Sequence, residues 1–448
     1  VDVIGGTDKI LSAVEEYQID EIFIAIASLS PSRKRDIINI CKETKCVIKQ
    51  LPNMYAERAG IITASNLQNI TIEDVLGRDT IKLDKADVMA QISGQVVMVT
   101  GGGGSIGSEL CRQIASYGPK QLIVFDIYEN NAYDIQLELK KKYPNLSIET
   151  LIGSVRDSKR IEKVFADYRP NIVYHAAAHK HVPLMQDSPC EAIKNNVIGT
   201  YKTAMAATKF GCDRFVLIST DKAVNPTNVM GASKRMCELV IQTFDRLIKQ
   251  GDFSKLPELF THMGEDATFA EGVVPHTEFV AVRFGNVLGS NGSVVPLFKK
   301  QISEGGPVTV THPEIIRYFM TIPEAVSLVL KSGCNASGGE IFVLDMGEPV
   351  KIVDLARNMI ELAGYRPDVD IQIEFCGLRP GEKLYEEKLM AEEGLKKTEN
   401  ELIHVAEPME IDTDKFVSQL KQLMITAYDN KADEIVELVR KTVPTFRG

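Results

Sequence analysis

Short apolar runs alternate with amphipathic stretches along most of this chain. Residues 95–100, 121–126, 146–152, 171–175, 214–218 and 279–284 are continuous Val/Ile/Leu/Phe-rich runs of strand length. Between them lie longer segments whose apolar positions recur every three or four residues, the helical period. Strand–helix alternation of this kind predicts a parallel, doubly wound α/β sheet of Rossmann type. Residues 1–50 repeat the pattern on a smaller scale. Strand runs at 1–4, 21–26 and 46–48 flank a helix to Tyr17 and a second helix from Pro31 to about Lys42. Pro at a first helical position, after Ser30, is a start signal.

The rhythm breaks in three places. Residues 71–93 carry few periodic segments and read as a connector between an N-terminal partial Rossmann-like domain (1–70) and a catalytic domain (94–284). Residues 250–277 read as an insertion, a surface excursion or oligomer contact without chemistry. Beyond 285 the pattern is mixed, with strands at 308–310, 341–344 and 371–375 and helices near 294–304, 323–333, 350–363, 412–425 and 430–442. That stretch, 285–448, reads as a smaller substrate-binding lobe returning in part to the catalytic sheet.

Composition narrows the class. With 448 residues the chain exceeds one ordinary core. A formal net charge of −10 and the absence of a long basic run argue against nucleic acid as a partner. Eight cysteines without a CxxC pair read as reduced, buried thiols. No apolar run is long enough to span a bilayer. The chain opens at Val1 inside an apolar run, so we expect a longer protein whose upstream segment supplies any membrane anchor.

Candidate chemistry begins after the 95–100 strand, at Gly101-Gly102-Gly103-Gly104-Ser105-Ile106-Gly107. Glycines at 101, 104 and 107 leave room for a pyrophosphate at a helix N-terminus, with Ser105 and Ile106 opening the helix. Asp126 ends the second strand, 19 residues after Gly107, where a carboxylate accepts from ribose hydroxyls. It also repels a 2′-phosphate, which favours NAD over NADP. Ala176, Ala177 and Ala178 follow the fourth strand, where small side chains admit a cofactor. The fifth strand opens into Ser219-Thr220-Asp221-Lys222, at the carboxyl edge where such sheets bind ligands. Met230 and, one helical turn on, Lys234 begin the next helix. His175, His179 and His181 lack a carboxylate or thiolate at ligand spacing, so no metal is expected.

The glycine motif, the Asp126 strand end, Asn196 and the Lys234 helix together resemble the extended short-chain dehydrogenase/reductases. The resemblance covers roughly residues 94–448. Thr220-Asp221-Lys222 is similar to the triad of bacterial polysaccharide-biosynthesis nucleotide-sugar 4,6-dehydratases. Met230, where a tyrosine is usual, resembles the large membrane-anchored, non-inverting UDP-N-acetylglucosamine branch, which carries an extra Rossmann-like domain ahead of the catalytic one. The resemblance implies an inner-membrane protein working on the cytoplasmic side. It assigns Lys180 and Asn196 to the cofactor and Asn286 and Arg317 to the nucleotide diphosphate. Arg379 becomes a phosphate clamp and Glu382 a ribose acceptor. Ser154 and Val155 replace the aspartate that faces the adenine in many relatives. Arg283 is either a substrate contact or the partner of a core carboxylate.

The reaction so implied moves a hydride from sugar carbon 4 to NAD, loses water across carbons 5 and 6, and returns the hydride to carbon 6. Lys222 is then the base at carbon 5 and Asp221 the acid for the leaving hydroxyl, which requires burial to leave Lys222 partly neutral and Asp221 partly protonated. Thr220 bonds the 4-oxygen, Lys234 holds the nicotinamide ribose, and Met230 packs against sugar or nicotinamide. The acceptor of the 4-hydroxyl proton stays open between a water chain, Lys222 and Lys234 acting through the ribose. The rivals are a UDP-sugar 4-epimerase and a nucleotide-binding scaffold with a decayed site. Helices near 191–209 and 230–249 pair between subunits in relatives, so a dimer or higher homo-oligomer is expected.

Overall fold

The computed structural model describes residues 3–26, 29, 31–44, 46–50, 68–69, 72, 86–259, 270–386, 394–406 and 411–448. Most of 51–85, expected as the end of an N-terminal domain and a connector, lies outside them, as does 260–269 in the expected insertion. The chain divides into two compact units. The smaller comprises Val1–Ile81, Leu288–Thr321 and Pro349–Leu378; the larger comprises Lys82–Val287, Ile322–Glu348 and Arg379–Gly448. These boundaries cut across those drawn from the sequence, since parts of the C-terminal half join the N-terminal residues.

In the smaller unit, Glu21–Ile24 pairs in parallel with Val47–Gln50, and the helices Ile10–Tyr17 and Pro31–Lys42 pack together. Residues 3–4, read as the end of a strand, are not in one. Lys42, at the end of its helix, bonds Asn358 and lies 3.7 Å from Glu361, both on the Ile352–Leu362 helix. Val308–Val310 pairs in parallel with Ile373–Phe375, and Ile316–Met320 pairs antiparallel with Pro349–Lys351.

The larger unit is built on a nine-stranded sheet. We label its strands β1 (Val96–Thr100), β2 (Gln121–Asp126), β3 (Ser147–Ile152), β4 (Ile172–His175), β5 (Arg214–Thr220), β6 (Glu278–Phe284), β7 (Ile341–Leu344), β8 (Lys396–Lys397) and β9 (Ile403–Ala406). Their order is β8-β9-β7-β6-β5-β4-β1-β2-β3. Strands β1 to β7 are parallel, and β9 runs antiparallel beside β7. The order reverses between β1 and β4, the crevice where doubly wound sheets take dinucleotides. Every residue of β1 and β4 is buried, as expected of strands covered on both faces. The short β8 and β9 strands carry too little pattern to be read from sequence.

The Val229–Gln250 helix starts at an Asn228 cap, whose Oδ1 accepts from the Gly231 amide at 2.8 Å, and ends at Gly251 with φ +74°. It is buried from Val229 to Asp245. The cover is the chain's own C-terminal hairpin, helices Thr413–Tyr428 and Ala432–Thr442, the second of which packs directly on it. All eleven residues of the neighbouring Gly199–Lys209 helix are buried too. The two helices expected to pair between subunits are therefore already covered within one chain. A homo-oligomer would need another face, or displacement of that cover. Among the described residues no helix is long and apolar enough to cross a membrane.

Candidate active site

The glycine turn is shaped by a close approach. The Gly101 carbonyl would lie 1.9 Å from a Cβ at position 107, well inside contact distance. Only glycine lets the first turn of the Ser105–Ser116 helix close on the loop. The loop is tied down by Asp126, whose Oδ2 accepts from the Gly103 amide at 2.8 Å and whose Oδ1 accepts from the Tyr128 amide at 2.9 Å. Asp126 thus shapes the phosphate loop as well as lining the cleft, and an ionised carboxylate keeps acceptor capacity for a ribose.

The cleft above this turn has a volume of about 200 Å³. Gly101, Gly104, Asp126, Ser154, Val155 and the 176–178 alanines all line it, as the sequence led us to expect. Asn131, His179 and Asn195 line it as well and were not foreseen. A glycine-walled loop at a helix N-terminus, with a carboxylate at the end of β2, fits a dinucleotide. Gly107→Ala is expected to weaken NAD binding by about 100-fold, measured by titration calorimetry, because the backbone has to move to admit the methyl. Unchanged affinity would show that the pyrophosphate does not sit on this turn.

Some expected cofactor residues hold the protein to itself. Asn196 lies in a π-helical segment, Ile193–Ile198, of the kind frequent at functional sites. Its Oδ1 accepts from the His179 amide at 2.8 Å, and its Nδ2 donates to the His179 carbonyl at 3.0 Å and to Ser233 Oγ at 2.9 Å. It staples the loop after β4 to the Val229–Gln250 helix. Ser154 Oγ accepts from the Arg156 amide at 3.2 Å. Lys180 is exposed on the loop after β4. His175 is buried between Thr100 and Thr200, at 2.8 and 3.0 Å. Burial, then the charge of Lys234, lowers its pKa to about 3, so it is neutral.

At the end of β5, Thr220 Oγ1 donates to Asp221 Oδ1 at 2.8 Å and accepts from the Lys222 amide at 3.4 Å. Lys222 Nζ lies 3.0 Å from Asp221 Oδ1, 3.2 Å from Asn286 Oδ1 and 2.9 Å from Glu386 Oε1. Expected as a phosphate ligand, Asn286 instead helps hold the lysine. Glu386 was missed, because nothing in Leu384-Tyr385-Glu386 marks one glutamate above its neighbours. It arrives because residues 379–386 lie on the loop after β5. Thr227 Oγ1 and Asn228 Nδ2 both donate to the Gly381 carbonyl, at 3.0 and 3.2 Å, and Lys383 Nζ donates to the Val224 carbonyl at 3.4 Å.

Glu386 reverses the expected protonation. Burial alone pushes Asp221 up, but the charge of Lys222 and the hydrogen bonds that Lys222 and Thr220 donate outweigh it and bring its pKa to about 2. Burial likewise pushes Lys222 down, but Asp221 and Glu386 raise it above the ordinary lysine value. With two carboxylates on one ammonium, Lys222 rests charged and Asp221 ionised, not partly neutral and partly protonated. Burial does not win here because the site carries one carboxylate more than the motif shows.

Met230 is 4% exposed and joins the core beneath the site. The residue after it matters more to geometry. A Cβ on Gly231 would lie 2.2 Å from the Lys222 carbonyl, so glycine lets the helix start press against the Asp221-Lys222 turn. Lys234 Nζ donates to the Ile218 carbonyl at 2.6 Å, anchoring β5 to the helix; its pKa is lowered by burial.

Arg283 resolves to the second of its two readings. It is 0% exposed, and its Nε and Nη2 donate to the two oxygens of Glu238 at 2.6 and 2.7 Å. It is a core ion pair with no route to a substrate phosphate. Arg317 stands on the Ile316–Met320 strand of the smaller unit, its Nη1 donating to the Ile316 carbonyl at 2.7 Å. Arg379 is exposed, while Glu382 Oε2 caps the Arg379 amide at 3.1 Å and closes the turn between them. Among the described residues no group of three His, Cys, Asp or Glu is placed to hold a metal.

Residues 97–408 match the family described as polysaccharide biosynthesis protein. The chain is 49% identical over 390 residues to the capsular polysaccharide biosynthesis protein CapD of Staphylococcus aureus, covering 87% of this chain and 61% of that one. It thus spans about three fifths of the length of that relative. It is 30% identical over 341 residues to the UDP-N-acetylglucosamine 4,6-dehydratase (inverting) of Campylobacter jejuni, covering 76% of this chain and 89% of that one. Among solved structures it resembles Pen from Bacillus thuringiensis, with a TM-score of 0.60 and 30% identity, over 75% of this chain and 99% of that one.

Proposed function

This chain belongs to the polysaccharide biosynthesis protein family, within the extended short-chain dehydrogenase/reductases, and on that premise we propose that it carries the active site of an NAD-dependent UDP-N-acetylglucosamine 4,6-dehydratase. The product is UDP-2-acetamido-2,6-dideoxy-α-D-xylo-hexos-4-ulose. The observation that carries the reading is the Asp221–Lys222 pair, 3.0 Å apart at the carboxyl end of β5 in the unit that holds the glycine-walled cleft. An epimerase needs no second acid/base group of this kind, and position 230 offers no phenol.

When bound, NAD supplies an acceptor for the hydrogen on carbon 4 and a donor for carbon 6. The protein supplies the protons. Asp221, held ionised, takes the 4-hydroxyl proton as the ketone forms, filling the gap left by Met230. The ketone acidifies the carbon 5 proton, which Lys222 takes once its amine is free. Asp221 then returns its proton to the departing 6-hydroxyl as water. Lys222 gives its proton back to carbon 5 from the face it took it from, which retains configuration. Asp221 ends as it began, and Lys222 does so once it regains the proton it first gave up.

The test is incubation of the enzyme with NAD and UDP-N-acetylglucosamine in deuterated water, read by mass and proton spectra. A product lacking one water and carrying deuterium at carbon 5 is expected. A product of unchanged mass with inverted carbon 4 would make it an epimerase, and no product at all would leave a binding scaffold.

A further inference from the structure

Lys222 has a difficulty that the 4,6-dehydratase reading does not remove. An ammonium has three N–H donors and no lone pair. Here the three neighbouring oxygens of Asp221, Asn286 and Glu386 stand at 3.0, 3.2 and 2.9 Å. Before the amine can take a proton from carbon 5 it has to lose one of its own. The Asn286 amide oxygen cannot store it. Asp221 is already engaged with the proton of the 4-hydroxyl. Of the three partners, Glu386 is left.

We propose that Glu386 is a positioning residue that holds the Lys222 amine at Asp221 and stores its third proton while the amine acts as base. The proposal rests on the dehydratase reading and deepens it. In the forward step the Lys222 ammonium passes one proton to the Glu386 carboxylate, giving a neutral amine and a carboxylic acid. The amine takes the carbon 5 proton, and the electron pair of that C–H bond forms the carbon 5–carbon 6 double bond as the 6-hydroxyl leaves with the Asp221 proton. After Lys222 has returned a proton to carbon 5, Glu386 gives its proton back. No proton is gained from or lost to solvent overall.

The geometry favours this role over a plain surface ion pair. Glu386 is 9% exposed, lies 2.9 Å from the ammonium, and stands on a segment bonded to Val224, Thr227 and Asn228. Among the described residues, the charged partners of Lys222 are Asp221 on its own turn and Glu386 on the 379–386 segment, which also carries Lys383. Asn286, after β6, is the neutral member. With Lys383 bonded to a backbone carbonyl, the two carboxylates are the groups placed to exchange protons with the amine.

Glu386→Gln keeps the size and one acceptor oxygen but cannot store a proton; Glu386→Asp can. We expect Glu386→Gln to oxidise carbon 4 within about threefold of wild type, while deuterium exchange at carbon 5 and water loss fall about 100-fold. Exchange in this variant should rise with pH, since the amine then loses its proton to solvent, whereas the wild-type profile is flatter. Glu386→Asp should recover part of the rate. Wild-type rates and an unchanged pH profile in Glu386→Gln overturn the proposal. So does an equal fall in carbon 4 oxidation and carbon 5 exchange, which marks a packing role only. If the wild-type enzyme itself makes no 4-keto sugar, the dehydratase reading fails first and takes this proposal with it.

Discussion

Lys222→Met lowers deuterium exchange at carbon 5 and formation of the 4-keto-6-deoxy product by about 1,000-fold, the upper range for loss of a general base together with its electrostatic role. Methionine keeps the length of the side chain and removes the amine. It also leaves the Asp221 and Glu386 carboxylates sharing a site without the cation between them, and like charges at that distance force one to protonate. In the wild-type protein Asp221 sits at a pKa of about 2, after Lys222 and its hydrogen bonds overcome burial. Removing Lys222 lets burial dominate, so the Asp221 pKa rises. Oxidation of carbon 4, which needs Asp221 ionised, should then survive at alkaline pH and decline as pH falls into the ordinary carboxylate range, where wild type does not. Single-turnover kinetics across pH measure both effects. Exchange within tenfold of wild type would remove Lys222 from the mechanism.

The parts of this site visible in the sequence are those built from contiguous residues. The 101–107 glycine turn, Asp126, the 176–178 alanines and Thr220-Asp221-Lys222 each follow a strand of the predicted sheet, so the pattern that placed the strands also placed them. What stayed hidden depends on distant residues meeting. Glu386 reaches Lys222 across 164 positions, through a segment with little periodicity, and reverses the protonation that the motif alone implied. Arg283 follows the same logic in the opposite direction. Its partner Glu238 lies 45 positions away, on a helix whose apolar pattern gives no hint of a buried carboxylate. The cover over the Val229–Gln250 helix was hidden in the same way, because it comes from a C-terminal hairpin of the same chain.

Glu238→Ala is expected to destabilise the larger unit by about 3–5 kcal/mol, the range for removing one partner of a buried ion pair. Glu238 is 0% exposed and accepts from Ser219 Oγ at 2.6 Å, Arg235 Nη1 at 2.8 Å and both Arg283 contacts. Alanine takes the carboxylate from two guanidinium groups, one of them fully buried, whereas Arg283→Met leaves Glu238 with Arg235 and Ser219. The glutamate substitution should therefore cost more than the arginine one, an ordering that a role in binding substrate phosphate does not produce. Burial pushes the Glu238 pKa up, but the two arginines and Ser219 outweigh it and lower it from 4.5 to about 2. A depressed folded-state pKa gives stability that is fully present above 4.5 and lost as pH falls toward 2. At about 1.4 kcal/mol per unit, that is on the order of 3 kcal/mol. Glu238→Gln should flatten this acid limb in urea unfolding. Because Ser219 stands directly before Thr220-Asp221-Lys222, Glu238→Ala should also lower water loss more than it lowers NAD affinity. Equal stability of the two variants, or an unchanged acid limb, would mean that this carboxylate does not anchor the strand end that carries the catalytic pair.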